Sequence, residues 1–170
     1  MPAPAYSASL LPAAQGAPAD SVSLAGLKGQ AVMLNIWATW CLPCRDEMPA
    51  FERLHGTFGD SGLRIVGVSI DARGTDDEVR AFIREFDLSF TILRDPNEQI
   101  TRVFQAIGVP ETFLIDRAGV IVRRWIGQFD PTTPEVADLV RRALTGDPAD
   151  PDKAASAVPH HPSLRGASPS

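Results

Sequence analysis

Residues 32–49, which read VMLNIWATWCLPCRDEMP, determine how the rest of the chain is interpreted. An apolar, partly β-branched run of strand length leads into Cys41 and Cys44, and a charged segment compatible with a helix follows at once. These are the only two cysteines among 170 residues. The pattern predicts a cysteine pair at the point where a buried strand ends and a helix begins.

Composition and charge narrow the class of protein. The chain is 44% hydrophobic and 22% charged, as is typical of a globular protein, and its net charge of −5 argues against a nucleic-acid partner. A structural zinc site usually needs four Cys or His ligands, and two of the three histidines, His160 and His161, lie in a C-terminal segment predicted to be disordered. We therefore predict neither a metal nor another cofactor.

Two further features concern the compartment. No apolar run approaches the roughly 20 residues that span a bilayer, and residues 1–7 lack the basic and apolar regions of a signal peptide. The chain is therefore expected either to stay in the cytoplasm or to begin after a removed leader or anchor.

Hydrophobic periodicity predicts alternating strands and helices. Strands are predicted at 21–24, 31–37, 63–70, 90–93, 113–115 and 120–126, and helices from Cys41, over 75–86, over 95–107 and over 134–145. Thr75 and Glu78 have the spacing of a capping box. Thr133 is the predicted cap of the last helix, and Gly108 and Gly146 are predicted helix stops. The fold class is therefore α/β, with a mixed central sheet and helices on both faces.

The domain organisation follows from the same pattern. Residues 1–20, rich in Pro, Ala and Ser, are predicted to be an extended lead-in to one domain over residues 21–146. Residues 147–170 have little to bury, and we expect a disordered tail there.

The cysteine spacing predicts dithiol chemistry. Unpaired N–H groups and the positive end of the helix dipole stabilise a thiolate at Cys41, where the helix should begin. Cys44 lies one turn further on, within disulfide reach, so we expect Cys41 to attack and Cys44 to resolve the mixed disulfide. The alternative is a pair of buried structural cysteines, which the strand-to-helix junction disfavours.

Other residues near the pair have weaker signals. Glu47 follows Cys44 by one helical turn and is a candidate to accept its proton, although spacing alone favours a solvated first-turn acid. Trp40 is predicted to be a wall of the site, and Asp71, which ends a strand, receives no role. Pro110 precedes a strong strand, and the residues alone favour a trans bond after Val109.

Two motifs together resemble a known family. Residues 37–49, WATWCLPCRDEMP, closely resemble the active-site segment of the TlpA-like thioredoxin-fold oxidoreductases, the ResA and CcmG group of the AhpC/TSA–Redoxin superfamily. Residues 108–116, GVPETFLID, resemble that family's cis-proline segment, and the resemblance extends from about Ala3 to Leu144.

The resemblance implies a thioredoxin fold with a TlpA-type central αβ insertion at residues 75–93. It implies that Cys41 attacks, Cys44 resolves and Glu47 is an active-site acid. The substrate groove would be lined by Trp40, Pro43, Val109 and a cis Pro110. Asn35 stands where plain thioredoxins carry a buried acid, so a proton-relay role would fall to Glu47.

The implied function is thiol–disulfide exchange that reduces protein disulfides. A proline at the second position between the cysteines, as at Pro43, resembles the reducing members of the family more than the strongly oxidising ones. The implied partners are an upstream thiol reductant and a protein disulfide, with apocytochrome c or a haem-handling protein as candidates. The chain is expected to be monomeric, and the family is usually extracytoplasmic.

Two other functions are weighed against this one. A thiol peroxidase is disfavoured because Ala38, not Thr, precedes Cys41 by three residues. A binding module that uses only the cis-proline groove is disfavoured by the intact cysteine pair.

Overall fold

The computed structural model describes residues 1–14 and 17–146, which form a seven-stranded sheet with helices on both faces. The strands are β1 Ser7–Leu10, β2 Ser21–Ser23, β3 Ala31–Trp37, β4 Leu63–Ser69, β5 Thr91–Arg94, β6 Glu111–Ile115 and β7 Ile121–Ile126. The helices are α1 Leu42–Phe58, α2 Asp76–Glu85, α3 Gln99–Val103 and α4 Pro134–Thr145. The strand order is β2-β1-β5-β4-β3-β6-β7. Strands β3, β4 and β5 are parallel and the other pairings are antiparallel, so the predicted mixed sheet is confirmed.

Strand β3 lies in the middle of the protein and is buried along its whole length. Alternation places Met33, Asn35 and Trp37 on one face of the sheet, and the residues between them on the other. Strands buried on both faces are apolar runs of this kind, which explains why the sequence pattern identified β3 correctly.

A separate hydrophobic core covers each face of the sheet. On one face Met33 and Trp37 pack with apolar residues of α1, α2 and α4. On the other face Leu34 and Ile36 pack with Tyr6 and with Ile100 of α3. Because α1 begins where β3 ends, the cysteine pair lies at the carboxyl edge of the central strands.

The segment predicted as an extended lead-in contributes a strand to the sheet. Strand β1 pairs with β2 on one side and with β5 on the other. Just before it, the Tyr6 hydroxyl donates to Asp95 Oδ2 at 3.1 Å. The predicted domain boundaries stay predictions, and residues 147–170 lie outside the described part of the chain.

The capping-box prediction at α2 is wrong. Thr75 is the N-cap residue, but its hydroxyl donates to the Ala72 carbonyl at 2.8 Å and makes no capping bond to the helix. At α4 the prediction is confirmed: Thr133 Oγ1 accepts from the Val136 N–H, and Gly146 ends the helix in the left-handed region with φ of 74°.

The helix predicted from Asp95 to Ile107 is much shorter than expected. Helix α3 spans only Gln99–Val103, because Glu98 and Gln105 adopt left-handed φ values of 53° and 52° at its two ends. Ile107, the last residue of the predicted helix, is 75% exposed. Its N–H donates to Glu111 Oε2 at 3.0 Å, so the end of this segment belongs to the loop before β6.

Candidate active site

The cysteine pair lies where a tight turn joins β3 to α1. The Cys41 N–H donates to the Ala38 carbonyl at 3.2 Å, which closes the turn, and Cys41 is the N-cap residue of α1. Its Sγ accepts a hydrogen bond from the Cys44 N–H at 3.3 Å. Cys41 and Cys44 form a disulfide with their Cα atoms 5.2 Å apart. The arrangement therefore places the Cys41 sulfur where a helix N-terminus stabilises negative charge.

Apolar side chains surround the disulfide at the surface. Cys44 is fully buried and Cys41 is 5% exposed, whereas Trp40 is 66% and Leu42 is 72% exposed. Pro43, between the cysteines, is also exposed. Exposed apolar residues in this density are unusual at a single turn and indicate a contact surface. A molecule that approaches the sulfur of Cys41 meets this apolar rim, defined by Trp40, Leu42 and Pro43, first.

Glu47 is buried beneath the disulfide on the same helix. It is 2% exposed, and its Oε1 accepts from Asn35 Nδ2 at 2.9 Å, while its Oε2 has no partner that meets hydrogen-bond geometry. Burial raises the pKa of Glu47 to about 7, and the hydrogen bond from Asn35 opposes this only in part. A carboxyl group with this pKa can take up or release a proton near neutral pH.

Asn35 fixes the orientation of Glu47. Its amide nitrogen donates both to Glu47 and to Thr112 Oγ1, each at 2.9 Å, and Thr112 lies opposite Asn35 in the β3–β6 pairing. The neutral amide therefore acts as a hydrogen-bond donor to Glu47 and takes no proton itself.

The loop before β6 lies at the same edge of the sheet. The Val109–Pro110 peptide bond is cis, as the resemblance implied, whereas the residues alone favoured trans. Pro110 is buried, and its carbonyl accepts from the Gly127 N–H at 2.9 Å. The next residue, Glu111, pairs with Ile36 at the end of β3, so Val109 and Pro110 lie at the edge of the sheet where the cysteine turn begins.

One pair of charged residues holds this loop. Glu111 is fully buried, and its Oε1 contacts Arg124 Nε of β7 at 2.5 Å while its Oε2 accepts from the Ile107 N–H. Arg124 also donates to the Gln105 carbonyl at 3.1 Å. The two side chains therefore fix residues 105–110 against the sheet.

Sequence reasoning missed Asp71, which the structure connects to the cysteine turn. Asp71 is 2% exposed and accepts hydrogen bonds from the backbone and side chain of Thr39, two residues before Cys41. The sequence did contain one indication of this role, because Asp71 is an acid that directly follows a predicted buried strand. The carboxyl end of that strand lies at the same edge of the sheet as the carboxyl end of β3. Only tertiary structure identifies Thr39 as its partner.

Within residues 1–14 and 17–146, no group of three His, Cys, Asp or Glu side chains is arranged to hold a metal ion. In the same part of the chain, no helix has the length and apolarity needed to cross a membrane.

The fold and the site together define a thioredoxin-fold protein with a disulfide-bonded Cys-x-x-Cys pair at the start of a helix. Residues 2–124 match the AhpC/TSA family, and the chain belongs to that family.

Named relatives and solved structures are consistent with this class. The thiol-disulfide oxidoreductase ResA of Oceanobacillus iheyensis is 36% identical over 128 residues, which cover 75% of this chain and 58% of ResA. The thioredoxin-like protein YneN of Bacillus subtilis is 43% identical over 103 residues, 60% of this chain and 59% of YneN. The matched segment thus spans less than two thirds of the length of these curated relatives.

Among solved structures, a thioredoxin-family thiol:disulfide interchange protein from Chlorobium tepidum superposes with a TM-score of 0.69 at 25% identity. The match covers 85% of this chain and 96% of that one. The thioredoxin domain of a Bacteroides vulgatus thiol-disulfide oxidoreductase has a TM-score of 0.68 at 25% identity, with the same coverage of both chains. The thioredoxin fold expected from the sequence is confirmed.

Proposed function

We propose that this protein is a thiol–disulfide oxidoreductase that reduces protein disulfides through Cys41 and Cys44. The observation that carries the proposal is the disulfide at the N-cap of α1, where Cys41 Sγ accepts the Cys44 N–H and Cys41 is the more exposed of the two cysteines. A thiolate is the nucleophile in disulfide exchange, and this position favours the thiolate.

The proposed reaction runs in two exchanges. The Cys41 thiolate attacks one sulfur of the substrate disulfide, forms a mixed disulfide and releases the other substrate sulfur as a thiolate. Cys44 then loses its proton and attacks Cys41 Sγ, which restores the Cys41–Cys44 disulfide and releases the second substrate thiolate. Two electrons pass to the substrate, and its two thiolates take up two protons.

Glu47 is the proposed acceptor of the Cys44 proton. Cys44 and Glu47 are both buried on α1 and lie one helical turn apart, so water has little access to the proton that Cys44 must lose. A pKa of about 7 allows Glu47 to be ionised before the transfer and protonated after it.

The apolar rim supports a protein as the substrate. Trp40 and Leu42 are more than half exposed next to the sulfur, and such side chains gain free energy when a partner's apolar surface covers them. Apocytochrome c or a haem-handling protein is the finer substrate that the resemblance suggests. Continued turnover requires an upstream dithiol that reduces the Cys41–Cys44 disulfide, and an extracytoplasmic compartment is one in which substrate disulfides persist.

The reduced protein should therefore reduce insulin disulfides and precipitate the freed chains. Cys41→Ser should abolish this activity, and Cys44→Ser should accumulate a mixed disulfide with the substrate. Activity that survives in Cys41→Ser would show that the dithiol mechanism is wrong. Peroxide consumption with a thiol reductant, in the absence of insulin reduction, would favour a thiol peroxidase instead.

A further inference from the structure

A buried polar network lies behind the turn that presents Cys41, and the exchange reaction itself does not use it. The Asp71 carboxylate accepts the Thr39 N–H at 3.1 Å on both oxygens and the Thr39 hydroxyl at 2.6 Å on Oδ1. Its Oδ2 also accepts from the Ser69 hydroxyl at 2.7 Å. Burying a carboxylate is costly unless hydrogen bonds replace its water, and here most of those bonds come from Thr39.

Arg94 holds the far side of this network. The Arg94 side chain is 5% exposed, and its Nη1 donates to Ser69 Oγ at 2.7 Å and to the Asp71 carbonyl at 3.1 Å. Its Nε pairs with Asp76 at the start of α2 at 2.7 Å. The ends of β4 and β5 and the start of α2 thereby fix the position of the Asp71 carboxylate.

Thr39 lies inside the turn that sets the backbone direction at Cys41. The turn runs from Ala38, which is fully buried, to Cys41, whose N–H donates back to the Ala38 carbonyl. Thr39 is the second residue of this turn, and the exposed Trp40 is the third. Fixing both the backbone and the side chain of Thr39 therefore fixes the direction in which Cys41 leaves the sheet and enters the N-cap position.

We propose that Asp71 is a positioning residue for the exchange reaction: acting through Thr39, it holds Cys41 so that its thiolate stays at the N-terminus of α1. The inference rests on the proposed function and adds a residue that contacts neither sulfur nor substrate. When the hydrogen bonds between Thr39 and Asp71 are lost, the turn samples other conformations. The Cys41 thiolate then leaves the N-terminus of α1, and its attack on a disulfide slows.

Thr39→Val tests the inference because it removes the hydroxyl and keeps the size of the side chain. Thr39→Ser restores the hydroxyl, and Thr101→Val, in α3, is the control for the same chemical change elsewhere. In the reduced protein, two quantities are measured: the pKa of the Cys41 thiol, by thiolate absorbance, and the rate of exchange with a small-molecule disulfide. Thr39→Val should slow exchange about tenfold and raise that pKa, while Thr39→Ser and Thr101→Val should match the wild type.

Asp71→Asn distinguishes the positioning of Cys41 by Asp71 from the effect of the Asp71 charge on the Cys41 thiol. Removal of a nearby negative charge would by itself lower the Cys41 thiol pKa and favour the thiolate, whereas loss of the hydrogen bonds between Thr39 and Asp71 raises that pKa and slows the attack of Cys41 on a disulfide. We expect slower exchange, and we expect the Thr39→Val/Asp71→Asn double variant to be no slower than the slower single variant.

The inference is overturned if Thr39→Val lowers the unfolding midpoint but leaves the thiol pKa and exchange rate unchanged. It is also overturned if Thr39→Ser is as slow as Thr39→Val, or if Asp71→Asn speeds exchange. A wild type that fails on insulin would count against the proposed function alone, because the thiol pKa and the small-disulfide rate report the positioning of Cys41 independently of any protein substrate.

Discussion

Replacing Glu47 by Gln should remove the pH dependence that this buried acid gives to the free energy of unfolding. Glu47 is 2% exposed, and burial raises its pKa from 4.5 to about 7. Gln has nearly the same shape, cannot ionise, and keeps a carbonyl oxygen to accept the hydrogen bond from Asn35. The substitution therefore removes the ionisation of this side chain and little of its packing.

The direction of this pH dependence follows from whether the folded or the unfolded protein binds the Glu47 proton more tightly. Because the pKa of Glu47 is raised in the folded protein, its contribution to stability is fully present below about pH 4.5 and is lost as the pH rises through about 7. A rise of this size corresponds to about 3 kcal/mol. The free energy of unfolding of Glu47→Gln, minus that of the wild type, should therefore increase by about 3 kcal/mol between about pH 4.5 and pH 8.

Urea unfolding of the oxidised protein across this pH range, followed by circular dichroism, measures the difference. Asp46→Asn makes the same chemical change on the exposed neighbouring residue and should alter the unfolding free energy by less than about 0.5 kcal/mol at every pH. A difference between Glu47→Gln and the wild type that stays constant with pH would refute the argument from burial. In the reduced protein the same variant should slow the step in which Cys44 resolves the mixed disulfide.

Two further predictions concern the apolar rim and the core. Trp40→Ala should raise KM for a protein disulfide about tenfold and leave exchange with a small-molecule disulfide nearly unchanged, as steady-state kinetics would show; an equal loss on both substrates would contradict a docking role. Gly67→Ala should lower the free energy of unfolding by about 1–3 kcal/mol in urea denaturation, because its Cβ would lie 2.9 Å from Trp37 Nε1. Gly56→Ala, where an added Cβ meets nothing within 4 Å, should instead stabilise α1 by about 0.5–1 kcal/mol, and equal effects at the two glycines would contradict the packing argument.

The parts of the fold that sequence predicts well are those with strong local signals. The apolar run of β3 and the Thr133 and Gly146 caps of α4 coincide with the observed elements. The position of the cysteine pair at a strand-to-helix junction was predicted for the same reason, because the strand before it and the helix after it both have clear hydrophobic patterns. Pro110 required the resemblance, because the residues alone favour a trans bond.

The parts that sequence missed depend on contacts between distant residues. Strand β1 has the sequence Ser-Ala-Ser-Leu, with no β-branched or aromatic residue, and exists because β2 and β5 supply its hydrogen bonds. Asp71 acquires its partner only when the ends of β3 and β4 meet. The short α3 reflects left-handed residues at its two ends, which the apolar spacing of the segment does not reveal.

Strand β1 also has a consequence for how the sheet is completed during folding. Ser9 pairs with Arg94 and Leu10 with Leu93, so β1 pairs with a strand that lies more than half of the described chain away from it in sequence. Its other partner, β2, is close in sequence, but an isolated pair of strands is only marginally stable in water. Contacts of such long sequence separation slow folding. We therefore expect the β1–β2 pair to join the sheet after β5 has formed beside β4, with the outer edge of β5 open until then.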